Sequence, residues 1–264
     1  MKNTEAIKTT ACFLFDLDGT VYLGDELLPG AKDLLAYLEE NSRPYYFLTN
    51  NSSRSRADYS QKLAGYGLSA SEDKIFSSGM ATAIYLKKQK PGARIYLVGT
   101  PSLEEEFRTY GFELVEDDPD YAVLGFDTTL TYQKLRKLAD FVVEGRPYIA
   151  THPDINCPTP GGFMPDIGAM MALIKTSTGR DADVIVGKPF APMVEAIVEL
   201  TGFDTDSLTM VGDRLYTDIA MGAAGIQTVL VLSGEAKLED LGSAPHQPDL
   251  ICKNLGELLQ YLKS

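Results

Sequence analysis

Hydrophobic residues occur in short runs along the chain, and a polar segment follows each run. Residues 11–15 are apolar, and the motif Asp-Leu-Asp-Gly-Thr follows at residues 16–20. A short, aromatic-rich apolar run is typical of a strand that is buried on both faces of a parallel sheet. The pattern therefore predicts a series of buried strands, at residues 11–15, 44–48, 74–76, 94–98, 121–124, 147–150, 184–186, 208–211, 228–232 and 249–252.

Amphipathic segments separate most of these strands. Residues 30–41, for example, place Leu34, Leu35 and Leu38 on one face of a helix. The other predicted helices cover residues 56–66, 77–90, 101–110, 131–144, 166–178 and 190–200, the segment up to 224, and the end of the chain. Alternation of strand and helix favours an α/β fold with parallel sheets. Residues 23–28 resemble a short flap, and residues 151–165 are predicted to form a long loop rich in Pro and Gly.

The amino-acid composition limits which partners and which cellular compartment are expected for the protein. The chain has 264 residues and a net charge of −13, from 24 basic and 37 acidic residues. An acidic protein is a poor match for nucleic acid or for an anionic membrane surface, so neither is expected as a partner. The three cysteines form no Cys-x-x-Cys motif, the first ten residues are polar, and no apolar run reaches membrane-spanning length. These features predict a cytoplasmic protein with reduced thiols.

Polar motifs follow four of the predicted strands. They are Asp16 with Asp18, Thr49 with Asn50, Gly187-Lys188-Pro189, and Gly212-Asp213. In α/β folds, binding sites form beyond the carboxyl ends of the strands, so we expect these groups to belong to one site. Each motif alone is also an ordinary turn or helix cap, and only their combination points to catalysis.

The residue types suit phosphoryl transfer. Asp16 is a candidate nucleophile that accepts a phosphoryl group, and Asp18 is a candidate general acid and base. Thr49 and Asn50, at a strand-to-helix turn, are candidates for binding an anion, and the ammonium of Lys188 can neutralise phosphoryl oxygens.

A hard cation is expected at the same place. One carboxylate and one backbone carbonyl of the first motif, with Asp213 as a third oxygen ligand, suit Mg²⁺. Asp218 lies in the first turns of the next helix and is a candidate for orienting a water molecule bound by Asp213, or Lys188. Without a cation, these carboxylates would repel a phosphate dianion.

The ordered motifs resemble those of the haloacid dehalogenase superfamily, and within it the NagD-like phosphatases. The resemblance covers nearly the whole chain and implies a Rossmann-like core with a parallel sheet, plus an inserted α/β cap domain of the C2 type. It places the core at residues 1–81 and 183–264 and the cap at 82–182, in line with the breaks near Pro91 and Arg180. The first strand pattern is expected to resume at Val184 within the core.

The resemblance also implies roles and a substrate class. Mg²⁺ would be held by the Asp16 carboxylate, the Asp18 backbone carbonyl and Asp213, while Thr49, Asn50 and Lys188 would bind the transferring phosphoryl group. The implied substrates are small phosphorylated metabolites, sugar phosphates first, hydrolysed through an aspartyl-phosphate intermediate.

The cap sequence contains Thr-His-Pro-Asp at residues 151–154, where the family often has Asn in place of His152. In such caps this loop tends to screen substrates, so His152 and Asp154 are candidates for substrate specificity. A structural role for His152 is left open. Two functional alternatives also stay open: a non-catalytic metabolite-binding protein of the same fold, and a phosphotransferase or phosphomutase. The sequence leaves homo-oligomer formation undecided.

Overall fold

The structure is a computed structural model that describes residues 4–159 and 161–264; residue 160, inside the predicted loop 151–165, lies outside the described part. The strands are β1 (Cys12–Phe15), β2 (Tyr22–Leu23), β3 (Glu26–Leu27), β4 (Tyr45–Thr49), β5 (Ile75–Ser77), β6 (Arg94–Val98), β7 (Glu113–Leu114), β8 (Tyr121–Leu124), β9 (Tyr148–Ala150), β10 (Asn156–Thr159), β11 (Gly162–Pro165), β12 (Val184–Ile185), β13 (Leu208–Gly212), β14 (Gln227–Val231) and β15 (Leu250–Cys252).

Helices lie between most of these strands. The α-helices are α1 (Glu5–Lys8), α2 (Ala31–Glu40), α3 (Arg56–Gly65), α4 (Ser78–Gln89), α5 (Pro101–Thr109), α6 (Tyr132–Val143), α7 (Ile167–Thr178), α8 (Ala191–Thr201) and α9 (Leu255–Lys263). Short 3₁₀ helices cover Glu72–Lys74, Thr205–Ser207, Ile219–Ala224 and Leu238–Ser243.

Two larger sheets organise the chain. The first has six strands in the order β15-β14-β13-β1-β4-β5, and the second has five in the order β12-β9-β8-β6-β7. In the first sheet, β1 lies parallel to both β13 and β4. In the second, β8 lies parallel to both β6 and β9. The parallel α/β fold expected from the sequence is therefore confirmed.

The chain divides into two compact units. The first comprises the residues up to 49 together with Ser60–Phe76 and Ile197–Ser264, and the second comprises Asn50–Tyr59 and Ser77–Ala196. The six-stranded sheet belongs almost entirely to the first unit, and the five-stranded sheet to the second. This division does not test the core and cap boundaries that the resemblance implies at residues 82 and 182, and those boundaries stay a prediction.

The first unit is built around β1. All four β1 side chains are buried, as its unbroken apolar sequence predicts. Helices α2 and α9 pack against each other, each with a stripe of buried leucines. Their contact is close at Gly30, where an added Cβ would lie only 2.0 Å from the backbone nitrogen of Gly256.

The second unit has its own core. Side chains from β6, β8 and β9 pack there with the apolar faces of α6 and α7; they include Tyr96, Val98, Leu124, Leu138, Phe141 and Ile174. Tyr96 and Phe141 make an edge-to-face contact with ring centroids 5.1 Å apart. A separate hydrophobic core is what an independently compact unit requires.

Several elements differ from the sequence expectations. Strand β12, at which the first pattern was expected to resume, pairs with β9 in the second sheet instead. The predicted loop 151–165 contains the antiparallel hairpin of β10 and β11. The segment before residue 224 is a 3₁₀ helix of six residues rather than a longer helix. Among the described residues, no helix combines the length and apolar character needed to cross a membrane.

Candidate active site

Three carboxylates of the first unit converge at one edge of the six-stranded sheet. Asp16 follows β1 and Asp213 follows β13, and these strands are parallel neighbours, so both residues emerge at the same edge. Asp218 lies just before a 3₁₀ helix, and one carboxylate oxygen from each of the three lies within 4.8 Å of the others. All three side chains are buried, and Asp218 is fully inaccessible. The structure thus brings together three of the residues that the sequence analysis assigned to the site.

The surroundings of Asp213 disfavour the charged form of its carboxyl group. Burial raises the pKa of Asp213 well above its ordinary value, and the charges of Asp16 and Asp218 raise it further. Arg214 and a hydrogen bond from the backbone of Glu235 act in the opposite direction. Like charges confined in a buried place need a compensating cation or a proton.

Only one of the two carboxylate oxygens of Asp213 accepts a hydrogen bond from the described residues, so the other can coordinate a cation. Its Oδ2 accepts a hydrogen bond of 2.7 Å from the Glu235 N–H. Its Oδ1 is buried and has no hydrogen-bond partner in the part of the chain that the structure describes. An all-oxygen group with an unused buried carboxylate oxygen fits a hard divalent cation such as Mg²⁺.

Asp18 has a different environment from these three. It is partly accessible, its Oδ2 accepts a hydrogen bond of 3.3 Å from the Tyr22 hydroxyl, and its side chain is not part of the three-carboxylate group. The following Gly19 has a φ of +92° and packs directly on Asp213. The expected role of Asp18 as a general acid and base stays a prediction.

In the second unit, the side chain of Asn50 braces the Gly-Lys-Pro turn. Its Oδ1 accepts a hydrogen bond of 2.8 Å from the Lys188 N–H, and its Nδ2 donates to the Lys188 carbonyl at 3.2 Å. The same Nδ2 donates to Asp154 Oδ1 at 2.9 Å. A Cβ at Gly187 would lie 2.7 Å from Asn50 Oδ1, so only glycine permits this contact. The Lys188 side chain is almost completely buried.

These contacts change the picture of Asn50. Both hydrogens of its amide and one lone pair of Oδ1 are already used within the protein. The role of Asn50 in binding the phosphoryl group stays a prediction, and its hydrogen bonds to the Lys188 turn were not foreseen from the sequence. Thr49, assigned to the same task, is the buried last residue of β4.

His152 and Asp154 are also buried in the second unit. His152 Nδ1 accepts a weak hydrogen bond of 3.4 Å from the Asp154 N–H, and its Nε2 lies 3.5 Å from Asp166 Oδ1. Asp166 Oδ1 also accepts a hydrogen bond of 2.7 Å from the Ile167 N–H at the start of α7.

The three side chains of His152, Asp154 and Asp166 are close enough to share a cation. His152 Nε2 is buried and has no hydrogen-bond partner among the described residues. Asp166 is a member that the sequence analysis did not single out. The role of His152 and Asp154 in substrate specificity stays a prediction.

Comparison with known proteins places the chain in a family. The model of the haloacid dehalogenase-like hydrolases matches residues 13–113, and an HAD-hydrolase-like model matches residues 185–258. An acid sugar phosphatase of Staphylococcus aureus is 34% identical over 259 residues, which cover 97% of this chain and 100% of that protein.

Solved structures agree with this assignment. A 4-nitrophenylphosphatase of Thermotoga maritima superposes with a TM-score of 0.93 at 46% identity and covers 97% of this chain and 98% of that one. NagD of Escherichia coli K-12 superposes with a TM-score of 0.87 at 32% identity, covering 94% and 98%. The chain therefore belongs to the haloacid dehalogenase-like hydrolases, in the NagD-like group that its motifs predicted. The expectation of a phosphoric monoester hydrolase is confirmed with it.

Proposed function

We propose that this enzyme is a Mg²⁺-dependent phosphatase of small phosphorylated metabolites, with sugar phosphates as the first class to test. The observation that carries the proposal is the buried group of Asp16, Asp213 and Asp218, in which one oxygen of Asp213 receives no hydrogen bond from the described residues. A relative that matches along its whole length is an acid sugar phosphatase, which supports the substrate class.

The proposed chemistry has two displacement steps. A carboxylate oxygen of Asp16 attacks phosphorus, the bond from phosphorus to the ester oxygen breaks, and Asp18 gives its proton to the departing oxygen. Asp18 then takes a proton from water, whose oxygen attacks the aspartyl phosphate. The bond between phosphorus and Asp16 breaks, and inorganic phosphate leaves.

The proposed cation ligands are the Asp16 carboxylate, the Asp18 backbone carbonyl and Asp213, with Asp218 orienting them. When bound, Mg²⁺ offsets the negative charge of the carboxylates and of the phosphate dianion. The Arg214 N–H donates a hydrogen bond of 3.1 Å to Asp218 Oδ2, which restricts the orientation of that carboxylate.

Phosphoryl binding is assigned to Thr49, Asn50 and Lys188. The Lys188 ammonium carries a positive charge that complements phosphoryl oxygens, and the amide of Asn50 restricts the turn from which it projects. For His152 and Asp154 we keep the proposed influence on specificity. Their burial favours an indirect effect, through the turn that Asp154 helps to brace.

The cytoplasm is the proposed compartment. All three cysteines are free thiols. Burial raises the pKa of Cys12 and of Cys252 to about 12, so both stay protonated and unreactive at neutral pH. Buried free thiols are compatible with a reducing compartment, which fractionation of the native host would test.

The experiment is a panel of phosphorylated metabolites with para-nitrophenyl phosphate as the reference. Phosphate release is measured on metal-stripped enzyme before and after addition of Mg²⁺. We expect hydrolysis of several sugar phosphates only with Mg²⁺. Hydrolysis of the reference alone would reject the substrate class. Binding without any phosphate release would favour a metabolite-binding protein, and phosphate transfer to a second metabolite would favour a phosphotransferase.

A further inference from the structure

The turn that follows β14 lies against Asp213, although no sequence motif drew attention to it. We propose that Ser233, Gly234 and Glu235 form a positioning turn for the cation site: the turn holds one oxygen of Asp213 and thereby presents the other to the cation. This inference rests on the proposed function, because it presupposes that Asp213 is a cation ligand.

The turn contacts both the side chain and the backbone of Asp213. The Glu235 N–H donates a hydrogen bond of 2.7 Å to Oδ2, and the Ala236 N–H donates one of 3.1 Å to the Asp213 carbonyl. Two successive N–H groups thus hold a single residue, one through its carboxylate and one through its main chain. Oδ1 is left buried, with no hydrogen bond from any residue that the structure describes.

Two glycines make this approach possible. A Cβ at Gly234 would lie 1.9 Å from Asp213 Oδ2, and one at Gly19 would lie 2.4 Å from the same atom. Both distances are far shorter than any real carbon–oxygen contact between non-bonded atoms. Gly234 is not among the described glycines with a positive φ, so space, rather than backbone conformation, demands glycine there.

The turn is itself anchored on both sides of the site. The Ser233 hydroxyl donates a hydrogen bond of 2.9 Å to the Gly19 carbonyl, in the loop that carries Asp18. The Glu235 carboxylate pairs with Arg214 at 3.0 Å, directly after Asp213 in the chain. Movement of the turn is therefore restrained by the first motif and by the last motif together.

Orientation matters because of the cation that the site is proposed to bind. Mg²⁺ requires near-octahedral geometry with short metal–oxygen distances, so a rotated carboxylate is a poor ligand. The terminal torsion of an Asp side chain is soft, and a hydrogen bond to one oxygen restricts it. Groups that orient metal ligands in this way typically change metal affinity by about 10–100-fold when mutated.

The test is Mg²⁺ binding by isothermal titration calorimetry to metal-stripped Gly234→Ala enzyme. We expect the dissociation constant for Mg²⁺ to rise by about tenfold or more, because the new methyl group displaces Asp213 Oδ2 from its N–H donor. Gly242→Ala is the matched control: an added Cβ there has open space around it, so Mg²⁺ binding should equal that of the wild type.

Ser233→Ala adds no volume and serves if Gly234→Ala does not fold. Loss of its hydrogen bond to Gly19 should weaken Mg²⁺ binding by about threefold or more.

Asp213→Asn distinguishes failure of the positioning turn from failure of the proposed cation site. If it weakens Mg²⁺ binding while Gly234→Ala or Ser233→Ala, once folded, binds like the wild type, the positioning turn is wrong and the proposed function stands. If Asp213→Asn binds Mg²⁺ normally, the assigned cation site is wrong and the positioning turn with it.

Discussion

At the scale of single residues, the amide of Asn50 connects the Gly187-Lys188-Pro189 turn to the loop after β9. It bonds to both backbone polar groups of Lys188 and to the carboxylate of Asp154. All of these atoms are buried, and a buried group deprived of its partner typically costs about 1–3 kcal/mol. The position of Lys188 should therefore depend on Asp154.

This dependence predicts the effect of Asp154→Ala. The change leaves one amide hydrogen of Asn50 without its acceptor and loosens the turn, so kcat/KM should fall by about tenfold. The fall should be similar for para-nitrophenyl phosphate and for each sugar phosphate, because they share the phosphoryl group. Ile155→Ala, at the exposed neighbouring residue, is the control and should leave kcat/KM unchanged. A changed ranking of substrates would instead establish the specificity role predicted for Asp154.

Glu106 is a second residue whose burial has a measurable consequence. It lies on α5 in the second unit, and neither carboxylate oxygen accepts a hydrogen bond within the described residues. Burial raises the pKa of Glu106 from 4.5 to about 7, opposed by Arg56, whose Nε lies 3.8 Å from Oε1. The charge of Glu106 in turn raises the pKa of Tyr110.

The sign of this shift predicts how stability depends on pH. The folded protein binds the proton of Glu106 more tightly than the unfolded chain, so its favourable contribution is present below about pH 4.5. It is lost as the pH rises to about 7. Glu106→Gln should therefore match the wild type near pH 4.5 and be more stable at pH 8, by up to about 3 kcal/mol. Thermal unfolding at the two pH values measures this difference, with exposed Glu105→Gln as the control. Equal melting temperatures of Glu106→Gln and the wild type at pH 8 would contradict a cost of burying the Glu106 carboxylate.

At the scale of secondary structure, the hydrophobic pattern was sufficient to predict the strands and helices that are buried and regular. The run at residues 11–15 predicted β1, and the leucine stripe at residues 30–41 predicted α2, each to within a residue or two. The strand-end rule also located Asp16 and Asp213, because parallel neighbours must release their side chains at the same edge.

The hydrophobic pattern did not predict elements whose side chains are exposed or very few, because such elements show no regular alternation of apolar and polar residues. All four residues of β11 are exposed, so nothing in the hydrophobicity of the predicted loop marks the hairpin. Strand β12 has only two residues, and its sequence does not specify which of two parallel sheets it joins. The contacts of Asn50 and of the Ser233–Glu235 turn join positions distant in sequence. Which polar groups meet over such distances cannot be read from one sequence.

The helix pair α2 and α9 offers a test of packing in the first unit. Leu258 of α9 is fully buried, so Leu258→Ala removes apolar contacts and leaves a cavity. We expect the free energy of unfolding to fall by about 2–5 kcal/mol. Leu238→Ala, at a position that is 60% exposed, should change it by less than about 0.5 kcal/mol. Urea denaturation of both variants makes the comparison; equal losses would contradict the packing described here.

At the scale of the whole molecule, a protein of net charge −13 is proposed to bind a dianion. Its overall field repels such a substrate, so binding depends on local positive charge. The chain supplies it in two ways in this account: a group of carboxylates suited to a divalent cation in the first unit, and the buried Lys188 in the second.

The central claim is that Asp16 is the nucleophile of a phosphatase, and the most direct measurement is hydrolysis of para-nitrophenyl phosphate by Asp16→Asn enzyme with saturating Mg²⁺. An amide does not attack phosphorus, so we expect the rate to fall by about a thousandfold or more while the thermal unfolding transition stays cooperative. Asp33→Asn, at an exposed aspartate of α2, is the control and should retain full activity. Folded Asp16→Asn enzyme that keeps a substantial fraction of wild-type activity would contradict the account.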